Sequence, residues 1–141
     1  MLANMHLLRL ALAVSCLAFV SIEVGAQTLP ERFHGVWLVE EGEPRACKRT
    51  DWRSEAHQDT HINVSAKQIE YYESRCRVTA MRTSQGGDPK SRPVVLTLAC
   101  SGEGMTWRET GIWQVQRIRG HMMLITVSTR SNFALVYQQC P

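Results

Sequence analysis

The chain has 141 residues, of which 44% are hydrophobic, and its formal net charge is +3 at pH 7. This length excludes a multidomain architecture and allows one domain of ordinary size. Because basic and acidic residues nearly balance, the composition does not predict a nucleic-acid-binding protein, and we expect no nucleic acid as a partner.

Residues 1–26 have the pattern of a cleavable secretory signal. A short basic segment precedes the apolar run Leu10–Val20, and Val24 and Ala26 are the small residues that signal peptidase accepts. The apolar run has about 11 residues, whereas a membrane-spanning helix needs roughly 20. We therefore expect cleavage before Gln27, a periplasmic or secreted location and no stable membrane anchor.

The predicted mature domain, residues 27–141, contains four cysteines. Cleavage removes a fifth, Cys16; its acylation is the alternative, although the apolar run continues past it. The four that remain have no C-x-x-C spacing, which argues against a zinc ribbon or a thioredoxin-type site. In an oxidising compartment they predict two disulfides. They are Cys47, Cys76, Cys100 and Cys140.

Short strand patterns separated by turn residues recur through the mature domain. The predicted strands are Val36–Glu40, His61–Ser65, Gln68–Ser74, Cys76–Arg82, Val94–Cys100, Met105–Ile118, His121–Ser128 and Phe133–Cys140. Because short loops join most neighbours, they predict an all-β fold: an antiparallel meander of about eight strands that curls into a small barrel. We expect a bulge at Gly111. The charged segment 45–60 is the exception, with a short helix predicted over Asp51–His57 and capped by Thr50 or Asp51.

The strand pattern also favours one of the three possible disulfide pairings. If the strands on either side of the loop Thr83–Pro93 pair antiparallel, with Arg82 opposite Val94, then Cys76 lies opposite Cys100. The remaining bond would join Cys47 to Cys140. Crosslinks that close loops of this length should each stabilise the fold by about 3 to 4.5 kcal/mol.

The opening of the first strand, Phe33-His34-Gly35-Val36-Trp37, contains a G-x-W motif. It resembles the opening of calycin-type barrels such as lipocalins and avidins. The resemblance implies that Trp37 closes one end of a barrel. More broadly, the chain resembles small exported bacterial β-barrel-like proteins that have an F-x-G-x-W opening, scattered cysteines and a terminal cysteine.

Aromatic residues are the strongest candidates for a binding site. A cup of such side chains could hold an apolar or aromatic ligand. The predicted ligand-binding residues are Trp37, Tyr71, Trp107, Trp113 and Tyr137, with Tyr72 as a further candidate. The alternative is that these rings fill the core, since Trp113 and Val115, and likewise Phe133, Leu135 and Tyr137, alternate as a one-sided core requires.

Two groups of polar residues are weaker candidates for a functional site. His57 and His61 would share a helix face, as in zinc sites, but Gln58 replaces the glutamate of an H-E-x-x-H motif, and we expect no metal. Basic residues could form a patch for an acidic partner, although acidic residues share the same stretch. They are Arg45, Lys48, Arg49 and Arg53, with Trp52 among them, and Arg75 and Arg77 beside Cys76.

No G-x-S-x-G motif, unpaired catalytic cysteine or phosphate-binding glycine loop occurs in the mature sequence. We therefore expect a non-enzymatic binding module without a cofactor, which holds a small apolar ligand or docks onto another envelope protein, in an inhibitor-like manner. One alternative is an envelope hydrolase that uses Glu103, Glu109 or the region of His57 and His61. Another is a structural component of the envelope.

Overall fold

A computed structural model describes residues 27–42, 45–54 and 59–141. The predicted leader, residues 1–26, lies outside the described residues. Within them, eight strands form a closed antiparallel barrel in which each strand pairs with its sequence neighbours and the last pairs with the first. They are β1 (Gly35–Val39), β2 (His61–Val64), β3 (Gln68–Glu70), β4 (Ser74–Thr83), β5 (Val94–Gly102), β6 (Met105–Ile118), β7 (His121–Ser128) and β8 (Ala134–Cys140). The predicted all-β barrel is therefore confirmed.

One end of the barrel is plugged by the residues that precede and begin β1. A 3-10 helix, Glu31–Phe33, buries Phe33, and Leu29 is buried beside it. The amide of Leu29 donates to the carbonyl of Ala66 (2.7 Å) in the β2–β3 turn. Trp37 is 0% exposed, and its Nε1 donates to the carbonyl of Phe33 (2.9 Å). We call Leu29, Phe33 and Trp37 the plug.

A second, smaller apolar cluster lies on the outer side of β1. Val36 and Leu38 point away from the interior and are covered by the segment 45–54, which contains the 3-10 helix Arg49–Arg53. Cys47 of this segment is bonded to Cys140 at the end of β8 (Cα–Cα 5.1 Å). Gln138 Nε2 donates to the carbonyl of Arg45 (3.1 Å). The segment is thus attached to the barrel by a covalent bond and by polar contacts.

Both predicted disulfides are confirmed. Cys76 and Cys100 are directly opposite each other on β4 and β5, with their Cα atoms 4.0 Å apart, and both side chains are buried in the barrel interior. Gly102 marks the close approach of these strands near the other end, because a Cβ atom there would lie 2.6 Å from the carbonyl oxygen of Glu73.

Among the described residues, no helix is long and apolar enough to cross a membrane.

The bulge lies elsewhere than predicted. The β4–β5 register shifts between Val78 and Ala80, so Arg82 lies opposite Val95 instead of Val94, and the predicted register is wrong there. Thr79 occupies the bulge, and its Oγ1 donates to the carbonyl of Thr97 (2.9 Å). The cysteine pair lies before this shift and is unaffected. No register shift occurs at Gly111.

The predicted helix over Asp51–His57 is also corrected. The described helix is of the 3-10 type, spans Arg49–Arg53 and follows Lys48, whose amide donates to Asp51 Oδ2 (2.8 Å). Asp51 therefore caps from within the first turn, and neither it nor Thr50 precedes the helix. Residues 55–58 lie outside the described residues.

Candidate ligand-binding site

A cavity of about 370 Å³ opens at the end of the barrel opposite the plug. The β3–β4 turn, the first half of β6 and the β7–β8 loop surround it, because an antiparallel meander brings these three regions to the same end. Its aromatic lining is Tyr71, Trp107, Trp113, Phe133 and Tyr137. The structure therefore brings together four of the five aromatic residues that the sequence analysis selected.

Alternation along β6 explains why the cavity is lined as it is. Every second residue of β6 from Trp107 to Trp113 faces the same side of the sheet, and these residues are Trp107, Glu109, Gly111 and Trp113. Their partners on β5 are Cys100, Leu98, Leu96 and Val94, all of which are buried. This side is therefore the barrel interior.

Gly111 leaves space for the neighbouring indole. A Cβ atom at this position would lie 3.3 Å from Trp113 Nε1 and 3.2 Å from the carbonyl oxygen of Val127. A larger inward side chain would displace the indole or enter the cavity. The glycine that the sequence suggested as a bulge instead gives room within the interior.

The remaining aromatic candidates lie elsewhere. Trp37 belongs to the plug and is not among the residues that line the cavity. Tyr72 is 50% exposed and also lies outside the lining. Phe133 precedes β8 and is 61% exposed at the rim of the cavity, so its predicted place in the one-sided core is wrong.

Two charged residues line the cavity, Glu109 and Arg130. Glu109 is partly buried and lies opposite the buried Leu98, whereas Arg130 is exposed in the β7–β8 loop. Glu103, the other acid considered for a hydrolase, lies in the β5–β6 turn and is not part of the lining. The sequence signal for an inward Glu109 is its alternation with Trp107 and Trp113.

The environment of the cavity perturbs two of its tyrosines. Burial, with a smaller contribution from the negative charge of Glu109, raises the pKa of Tyr137 to about 12. Burial likewise raises the pKa of Tyr71 well above its ordinary value, with smaller contributions from Tyr137 and Glu109. Both phenol groups are therefore neutral at physiological pH, and the charge of Glu109 contributes to the raised pKa of each.

We expect stability to fall at alkaline pH for this reason. A phenol whose pKa is raised in the folded state stabilises the fold fully below its unfolded pKa near 10, and this contribution is lost as pH rises toward 12. For Tyr137 the loss should be roughly 2 kcal/mol. Urea unfolding measured from pH 9 to 12 checks this. Tyr137→Phe should flatten the decline, and Glu109→Gln should move the tyrosinate absorbance midpoint to lower pH. An unchanged decline in Tyr137→Phe would contradict the assignment.

The basic residues that the sequence selected lie on outer surfaces. Arg45, Lys48, Arg49 and Arg53 are exposed on the segment 45–54. Arg75 and Arg77 are exposed on the outer side of β4, and Arg108, which the sequence analysis did not select, lies across Ala99 from Arg77. None of these residues lines the cavity.

The structure does not bring His57 and His61 together as a described metal site. His57 lies outside the described residues. His61 is 3% exposed at the start of β2, with its Nδ1 3.1 Å from Thr60 Oγ1. In the described ranges, no group of three or more histidine, cysteine, aspartate or glutamate side chains converges as metal ligands would.

Comparison of the chain with protein-family models, with curated proteins and with solved structures finds no significant match. What the cavity can do chemically follows from its lining. Its aromatic rings give apolar walls, and Glu109 adds a carboxylate inside them. Such a site is suited to enclosing a small molecule with a large apolar surface.

Proposed function

We propose that the protein is a periplasmic or secreted, non-enzymatic binding protein that holds a small apolar ligand in the open end of its barrel. The observation that carries this proposal is the convergence of five aromatic side chains around one cavity of about 370 Å³. A volume near the lower end of the range of ligand pockets fits a small molecule.

The closed opposite end supports a binding role for the cavity. The plug and the buried Trp113 form a floor beneath it, and Phe33 and Trp113 have ring centroids 6.4 Å apart. A ligand entering at the rim would thus meet a packed core instead of a channel. A barrel closed at one end agrees with the resemblance of the Gly35-x-Trp37 opening to calycin-type barrels. We propose this relationship as well.

The proposed location rests on the chain's covalent chemistry. Two disulfides are compatible with folding in an oxidising compartment, and they support export through the predicted leader. Export would place the cavity where it meets molecules of the envelope or the surroundings.

Binding of the neutral fluorescent dye N-phenylnaphthylamine tests the proposal. We expect saturable binding to the oxidised protein, with one dye per chain. Trp107→Ala should weaken it by about tenfold, because the loss of one aromatic contact costs about 1 to 1.5 kcal/mol. Trp107 is partly exposed in the cavity wall, so its truncation leaves the buried core in place.

Tyr72→Ala is the matched control, since Tyr72 is an aromatic neighbour that lies outside the lining. It should bind the dye as the unmodified protein does. The proposal is overturned if the protein does not bind the dye, or if both variants weaken binding equally.

A further inference from the structure

Glu109 is the least expected residue of the barrel interior. Its neighbours on the same face of β6 are Trp107 and Gly111, and its partner across the ladder is the buried Leu98. A carboxylate placed among apolar groups costs free energy unless a cation or hydrogen-bond donors compensate it. Glu109 is partly exposed to the cavity, so a cation bound there could compensate its charge.

Among the described residues, no basic side chain lies at ion-pair distance from Glu109. The ion pair between Arg45 and Glu41 lies on the outer surface. Arg130 also lines the cavity, but it is exposed at the rim, where water and salt screen its charge. Glu109 therefore faces the cavity without an ion pair to a described basic side chain.

The aromatic rings around Glu109 attract cations, as its carboxylate does. Aromatic faces carry the negative part of the ring quadrupole, so they attract cations and repel anions. Trp107, Trp113 and Tyr137 all line the cavity that Glu109 enters. The charge of Glu109 raises the pKa of Tyr137, which agrees with the two groups facing each other.

We propose that the ligand of this cavity carries an organic ammonium group, which is enclosed by Trp107, Trp113 and Tyr137 and whose charge is balanced by Glu109. This inference rests on the proposed binding function and specifies the chemical class of the ligand. An alkylated ammonium fits best, because its methyl groups can contact the apolar walls while its charge is attracted by the carboxylate and by the ring faces. A small inorganic cation would leave the aromatic walls in contact with water.

The test compares choline with its neutral isostere, in which carbon replaces the nitrogen. The two probes have nearly the same shape, so a difference in affinity reports the charge alone. Calorimetric titration of the oxidised protein should show choline binding at least tenfold more tightly than the isostere. Glu109→Gln should remove most of this preference, while Glu109→Asp, which keeps the charge, should retain part of it.

Glu103→Gln is the matched control, because it removes an equal charge at the β5–β6 turn, outside the cavity lining. It should keep the full preference for choline. A near-ultraviolet circular dichroism spectrum of Glu109→Gln that matches that of the unmodified protein would show that the packing around the cavity remains intact in that variant.

The outcomes separate this inference from the proposed function. If the neutral dye binds but choline binds no better than its isostere, the ammonium inference is wrong and the apolar site stands. If Glu109→Gln keeps the preference, Glu109 is not the counter-charge and the inference is overturned. If neither dye nor choline binds, both proposals fall.

Discussion

Replacement of both Cys47 and Cys140 by alanine is expected to lower the free energy of unfolding by about 4 to 5 kcal/mol. The bond spans 93 positions of the sequence, so its loss restores conformational freedom to the long segment between the two cysteines in the unfolded state. It also releases the segment 45–54 from the outer side of β1, where Val36 and Leu38 are buried beneath it. Because a small domain has a total stability of about 5 to 15 kcal/mol, this variant should be marginally folded.

Urea unfolding of the oxidised proteins measures the effect. Trp52→Ala is the control, because Trp52 packs against the same outer cluster but the variant keeps the crosslink. It is partly exposed, and its truncation should cost less than about 2 kcal/mol. If the double cysteine variant loses no more stability than Trp52→Ala does, the bond contributes only its local packing and not the entropy of the long loop that it closes.

Trp37→Ala should destabilise the protein by about 3 to 5 kcal/mol, the usual cost of removing a large buried aromatic side chain. Trp37 is 0% exposed, and the variant leaves a cavity in the plug and removes the donor to the carbonyl of Phe33. Trp37→Phe fills part of the cavity but still removes the donor, so its cost should be intermediate. Urea unfolding again provides the measurement.

Trp107→Ala tests whether the two ends of the barrel differ as described. Trp107 lies in the wall of the open cavity and is partly exposed, so its loss should cost less than about 2 kcal/mol while weakening ligand binding. A stability loss from Trp107→Ala that equals that from Trp37→Ala would contradict the assignment of a packed end and an open end.

Several features of the fold could be predicted because they depend on neighbours in the sequence. The β5–β6 and β6–β7 hairpins join adjacent strands through short turns, so alternation and turn residues suffice to locate them. Cys76 and Cys100 could be paired because they lie on consecutive strands, although the loop between these strands is longer. The second disulfide then followed by elimination, not from any sign that Cys47 approaches Cys140.

The position of the bulge could not be predicted. Thr79 is an ordinary strand residue, and its place in the bulge depends on its hydrogen bond to the carbonyl of Thr97 on the next strand. Gly111 carries the usual sequence sign of a bulge, yet it pairs in register. Its lack of a side chain instead accommodates Trp113. A glycine in a strand indicates limited space but does not say which neighbour needs it.

The candidate site was predicted in part. Tyr71, Trp107, Trp113 and Tyr137 were selected for their residue type, and strand alternation gives each of them a side of the sheet. Trp37 alternates in the same way and is also interior, but it lies at the other end, next to Phe33. Glu109 was considered only as a catalytic acid because its residue type, considered alone, does not suggest an interior position.

The sequence by itself determined the strand order and the all-β class, since these follow from a period of two and from short turns. It also determined which residues of a strand share a face, except beyond the bulge at Thr79 in β4. Only the tertiary structure decided which end of the barrel is plugged, that the segment 45–54 covers the outer side of β1, and that Glu109 enters an aromatic cavity. These features depend on contacts between residues far apart in the chain, and local residue patterns carry no information about such distances.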